Sequence, residues 1–77
     1  MHKGFVLLNC DLGAEEFIVD ELKRMQQVSN AYLTFGAYDV IAEIHTVDQA
    51  EFEKTVGTIR RLSRVVSTMT LNVINPE

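Results

Sequence analysis

Apolar residues run unbroken from Phe5 to Leu8 and then recur at Ala14, Phe17, Ile18, Leu22 and Met25. A continuous run of strand length followed by steps of three and four marks a strand leading into one face of a helix. A stretch rich in β-formers, Val28 to Phe35, comes next. The pattern then repeats, with Tyr38 to His45 as a strand, Phe52, Val56, Ile59 and Leu62 at helical spacing, and Val65 to Ile74 as a final strand. The predicted order is β-α-β, β-α-β.

Polar punctuation agrees with these boundaries. Asp48, with Glu51 three residues later, predicts a cap for the second helix. Glu15 and Glu16 suit the start of the first helix and Lys23 and Arg24 its end, while Arg60 and Arg61 close the second in the same sense. Gly57 weakens the second helix by roughly 1 kcal/mol relative to alanine, so it is either tolerated or serves close packing.

Right-handed crossovers place both helices on one face of a single sheet. The first and third strands are then central, which suits the apolar Phe5–Leu8 and Val40–Ala42 segments, and the second and fourth are edges. The expected fold is α+β: a ferredoxin-like βαββαβ sandwich whose four-stranded antiparallel sheet carries two helices on one face. It is of the dimeric α/β barrel type. Strand alternation puts Ala31, Leu33 and Phe35 opposite Tyr32 and Thr34, and Val40, Ala42 and Ile44 opposite Ile41, Glu43 and His45. The uncovered face is expected to hold Tyr32, Thr34, Ile41, Thr68 and Thr70, a mixed surface suited to a face-to-face dimer.

Size and charge narrow the function classes. The chain has 77 residues, 47% hydrophobic and 23% charged, with seven basic and eleven acidic side chains. One domain of this length buries about 60% of its unfolded surface, so self-association is expected to support it. A net charge of -4 has the wrong sign for attracting a polyanion to the whole surface. The single cysteine, Cys10, completes no disulfide, metal or redox pair and fits a reducing cytoplasm. The start of the chain is too short in apolar residues for a signal core or a membrane span.

Chemistry-bearing residues are sparse. Glu43 and His45 lie on one strand face and could begin a metal site, but no matching Cys or His completes it, so a solvated pair is expected. Glu16 and Asp20 read as an outer helix face rather than paired acid catalysts. No catalytic residue, metal or cofactor is expected.

The segment Gly36-Ala37-Tyr38-Asp39 between two strands, the amphipathic helix from Asp48, and Thr68-Met69-Thr70 in the last strand together resemble the RAM ligand-binding domain of the Lrp/AsnC (feast/famine) transcription regulators. The resemblance spans residues 1–77 as one domain, without the family's amino-terminal helix-turn-helix. The sequence departs from the family's pattern with Ser63-Arg64-Val65 in place of Pro-Gly-Val, and with Phe35 where threonine often precedes the turn glycine. The resemblance implies an amino-acid effector near the turn, dimers joined into a ring of four dimers (an octamer), and assembly with full-length regulators rather than direct DNA binding.

A free amino acid needs an acceptor for its ammonium, for which Asp39 is the candidate. Its carboxylate needs donors, for which the amides at Gly36 and Ala37 and the hydroxyls of Thr68 or Thr70 are candidates. Glycine also lets a ligand approach the backbone closely. Tyr38, in the same turn, is the sixth ligand-binding candidate, and each feature has a plainer reading: Gly36 as a hairpin residue with positive φ, Asp39 bonding the turn's amides, Tyr38 as packing, and the threonines as strand formers. A small dimeric α+β barrel enzyme, such as a monooxygenase, and a ligand-free assembly module are the alternatives.

Overall fold

The computed structural model describes residues 1–74. Its elements are β1 (His2–Cys10), α1 (Glu15–Lys23), β2 (Val28–Leu33), β3 (Val40–Thr46), α2 (Gln49–Arg60) and β4 (Val65–Asn72). The strands form one sheet in the order β2-β3-β1-β4, every neighbouring pair antiparallel. Element order, central strands and edge strands follow the pattern read from the sequence, although β2 stops at Leu33, short of Phe35.

Burial explains why the helices lie where they do. Val6 and Leu8 of β1 and Val40, Ala42 and Ile44 of β3 have no exposed surface and meet Ile18 and Leu22 of α1 and Phe52 and Ile59 of α2. Each side chain of this size stabilises the fold by about 1.5–3 kcal/mol when fully buried. The inner stripe of α1 is Ala14, Ile18 and Leu22, at steps of four; Phe17 falls on its shoulder and remains 44% exposed. It does not join the core face predicted for it.

The ends of α2 are built as expected. Asp48 Oδ1 accepts from the Glu51 amide at 2.9 Å, and Glu51 Oε1 accepts in return from the Val47 amide at 3.0 Å. A Cβ at Gly57 would meet only the tip of Arg61, at 3.3 Å, so this glycine is tolerated and serves no close packing. Gly4 is different. A Cβ there would collide with the Phe52 ring and come within 2.6 Å of the Leu71 carbonyl oxygen, so the ring of α2 can lie against β1 only over glycine.

The phase of β4 departs from the sequence reading. Thr68 and Thr70 pair with Leu8 and Val6 and therefore face the helices, while Met69 and Leu71 pair with Leu7 and Phe5 on the uncovered side. The cause is a register shift. Cys10 pairs with Val65 but Asn9 pairs with Ser67, leaving Val66 as an extra residue. One added residue turns every later side chain to the opposite face. The uncovered face consequently carries Phe5, Leu7, Tyr32, Ile41, Met69 and Leu71, and is more apolar than the expected mixture containing Thr68 and Thr70.

Arg64, between α2 and β4, has φ 74°. It takes the left-handed conformation at a cost of roughly 1–2 kcal/mol for a residue with a Cβ.

Candidate functional site

β2 ends and β3 begins at the end of the sheet where β1 delivers the chain to α1, so the Thr34–Asp39 turn and the first turn of α1 become neighbours. The turn is closed by its own polar groups. The Thr34 amide donates to the Asp39 carbonyl at 2.9 Å, and Thr34 Oγ1 donates to the Tyr38 carbonyl at 2.7 Å. Gly36 has φ 141°, a conformation that disfavours any side chain.

Asp39 ties this turn to the central strand. Its amide donates to the Leu8 carbonyl at 2.9 Å, and its Oδ2 accepts from the Cys10 amide at 3.0 Å. The carboxylate therefore satisfies the end of β1 rather than the amides of its own turn. Oδ1 has no hydrogen-bond partner among the described residues.

A groove of about 520 Å³ opens between turn and helix. Asp39, Glu15 and Glu16 supply carboxylates, Leu33 and Phe35 supply apolar surface, and Thr34 and Gly36 complete the wall. No lysine or arginine lines it. Three carboxylates in such a groove favour a cationic group over an anionic one. The part of Glu15 and Glu16 was not legible locally, since two acids in a first helical turn also complement the helix dipole. Their meeting with Asp39 follows only once the topology is known.

The six residues expected at the site do not converge within one protomer. Gly36 and Asp39 line the groove, and Ala37 is exposed. Tyr38 reaches the other side of the sheet, where its hydroxyl donates to Met69 Sδ at 3.7 Å. Thr68 borders a separate depression beside Arg60, and Thr70 lies over the helix side of β4. Cys10, behind Asp39, has its thiol pushed above the ordinary range, first by burial and then by the negative charges of Asp39, Glu15 and Asp11. It is a small packing residue rather than a nucleophile.

A second polar cluster stands on the uncovered face. Glu43 Oε2 lies 3.0 Å from Lys3 Nζ and 3.5 Å from His45 Nε2, while Oε1 accepts from Asn30 Nδ2 at 2.8 Å. The Asn30 bond, the Lys3 bond and the His45 contact together hold this carboxyl down to about 2. The Glu43 side chain is 14% exposed, so the expected solvated pair is instead a network drawn from three strands. Among the described residues no group of three or more His, Cys, Asp or Glu could hold a metal, and no helix is long and apolar enough to cross a membrane.

Thr46 and Thr55 are the buried polar residues among those described, and each hydroxyl donates to a nearby carbonyl. The layer between sheet and helices is therefore packed with apolar groups and satisfied hydroxyls.

Known proteins place this geometry. The crystal structure of FFRP-DM1 superposes with a TM-score of 0.92 at 27% identity, covering 96% of this chain and 100% of that one. TTHA0845 from Thermus thermophilus gives 0.92 at 26%, covering 100% and 98%. The transcriptional regulator NMB0573 from Neisseria meningitidis, solved as an L-Met complex, gives 0.85 at 15% identity; 97% of this chain matches 51% of that one, a likeness of fold. Comparison with curated proteins gives no match. Residues 3–76 match the Lrp/AsnC ligand binding domain, and the chain belongs to that family.

Proposed function

We propose that this chain is an amino-acid-binding sensor and assembly module, a non-enzymatic single domain over residues 1–77 that acts in the cytoplasm through partners. The observation that carries this reading is the acidic groove at the β2–β3 turn. Asp39 Oδ1 receives the ligand ammonium, turn amides at Gly36 and Ala37 receive its carboxylate, and Phe35 with Leu33 meets its side chain. Thr68 and Thr70 join the site only as contributions from a neighbouring protomer. The L-Met complex of the Neisseria regulator supports an amino acid as the ligand class. The apolar uncovered sheet face supports a dimer, which in turn builds a ring, an octamer of four dimers, and can take up full-length Lrp/AsnC regulators. Net charge -4 favours regulation without direct DNA contact. An enzyme of similar fold would need a polar reaction chamber between sheet and helices, where this chain has packed apolar residues.

Calorimetric titration of the common amino acids into the wild type and Asp39→Asn tests the proposal. Asparagine keeps an oxygen for the Cys10 amide but removes the charge. Loss of a charge-assisted bond worth about 1.5–3 kcal/mol weakens binding by roughly tenfold to a hundredfold, with the melting temperature little changed. Absence of binding by any common amino acid, or equal affinities for the two proteins, overturns the ligand assignment.

A further inference from the structure

The groove at the β2–β3 turn holds more negative charge than the ammonium of a neutral amino acid can match. We propose that its ligand is an amino acid with a cationic side chain, of the lysine and arginine class, whose α-ammonium meets Asp39 and whose distal cation meets Glu15 and Glu16. The inference rests on the amino-acid reading above and narrows it to one class of ligand.

Elsewhere on the surface, acids are matched within the chain. Glu21, Glu43 and Asp11 lie beside Arg24, Lys3 and Arg64 respectively. Glu15 and Glu16 have no such cation among the described residues, yet they share a groove with Asp39. Arg64, from the loop at the same end of the sheet, reaches Asp11 at 3.6 Å and does not line the groove. The positive end of α1, which carries no side-chain cap, is equivalent to about half a charge and offsets only part of three carboxylates. Their field extends behind the groove, where the Cys10 thiol is pushed up first by burial and then by Asp39 and Glu15.

A zwitterion with a neutral side chain adds no net charge and leaves this excess whole. A second cation reduces it, and the net charge of -4 on the chain favours the approach of such a ligand from solution. Leu33 and Phe35 line the same groove and are largely exposed. The methylene stem of a long cationic side chain covers apolar surface of this kind while its head remains among polar groups. The α-carboxylate falls to the amides of Gly36 and Ala37, which have no backbone acceptor among the described residues. An acidic amino acid would bring a further carboxylate to a groove that offers it no cation.

Calorimetric titration of L-lysine and L-arginine against L-norleucine, which keeps lysine's carbon stem and lacks its ammonium, reads the class. Glu15 is part-buried and Glu16 exposed. The added contact therefore lies between an exposed ion pair and a buried charged hydrogen bond, and lysine or arginine should bind roughly fivefold to fiftyfold tighter than norleucine. The double variant Glu15→Gln/Glu16→Gln should bring this ratio close to one, whereas Asp39→Asn weakens all three ligands together and keeps the ratio. Glu16→Gln alone, at an exposed position, shifts the ratio in the same direction and serves if the double variant melts early. Cadaverine, which is lysine without its α-carboxylate, should bind more weakly than lysine. Norleucine binding as tightly as both cations, or a ratio that survives the double variant, overturns the cationic class while leaving the amino-acid reading intact. Cadaverine binding as tightly as lysine overturns the inference by showing that the α-carboxylate goes unrecognised. Absence of binding by any common amino acid overturns the amino-acid reading and this inference with it.

Discussion

Val6, Leu8, Val40, Ala42 and Ile44 point to the helices with no exposure, whereas Phe5, Leu7 and Ile41, their neighbours along the same two strands, point to a face that no element among the described residues covers. The covered side is wholly apolar in its centre and contains Gly4, where the Phe52 ring comes to rest. The other side is apolar at Phe5, Leu7, Ile41, Met69 and Leu71 but keeps one carboxylate, Glu43, with donors from β1, β2 and β3. Period-two alternation can therefore build two different surfaces from one sheet. The first serves folding of the protomer, and the second is left uncovered by the described residues.

The largest effect that would break this contrast is a matched pair of truncations. Leu8→Ala is expected to cost about 2–5 kcal/mol of folding stability, because it empties a fully buried site. Leu7→Ala, one residue away, should cost about 1 kcal/mol in dilute protein, since its side chain is only partly covered. Denaturant unfolding at low and high protein concentration compares them. Equal losses at low concentration would mean that folding and covering of the second face are one event.

A smaller effect sharpens the contrast through pH. The Glu43 carboxyl is held down to about 2, below its ordinary 4.5, so its stabilising contribution is fully present above about pH 4.5 and is lost as pH falls toward 2. Glu43→Gln should consequently melt below the wild type at pH 7, with the gap closing through that acid window. No comparable acid-dependent gap is expected for a substitution on the helix side. Melting curves at pH 7, 4 and 2 decide it.

The smallest expected effect belongs to neither face. Arg64→Gly relieves a left-handed residue, worth roughly 1–2 kcal/mol, against a glycine entropy cost of about 0.5–1 kcal/mol. A net gain of about 0.5–1 kcal/mol in unfolding free energy should appear with no change in association. A loss of stability would show that the exposed Arg64–Asp11 contact at 3.6 Å outweighs the backbone strain.

Much of this architecture could be read from the sequence, because strand runs, helix steps and the Asp48–Glu51 cap are local signals. The phase of β4 could not. Starting from Val65 on the core side, simple alternation sends Thr68 and Thr70 to the uncovered face, and only the extra residue at Val66 reverses that assignment. An edge strand partly covered by one helix gives too weak an apolar pattern to reveal the slip. At the groove, Gly36 and Asp39 stood out in the sequence. The bond from the Cys10 amide to Asp39 joins residues 29 positions apart, and Glu15 and Glu16 arrive through topology, so neither had a local signature. Phe17 shows the same limit: its spacing suits a helix face, but the width of that face is set by the sheet beneath it.

β4 is an edge strand, and from Val65 to Asn72 it carries no charged side chain and no proline. Lysines or prolines on such an edge ordinarily keep strangers from adding a further strand. Here the irregularity at Val66 interrupts only the beginning of the strand, and the rest of its outer backbone has no partner strand among the described residues. During refolding at high concentration this margin is where misassembled chains should first stick together. A lysine placed near Thr70 on the outer edge would act as a gatekeeper against that route.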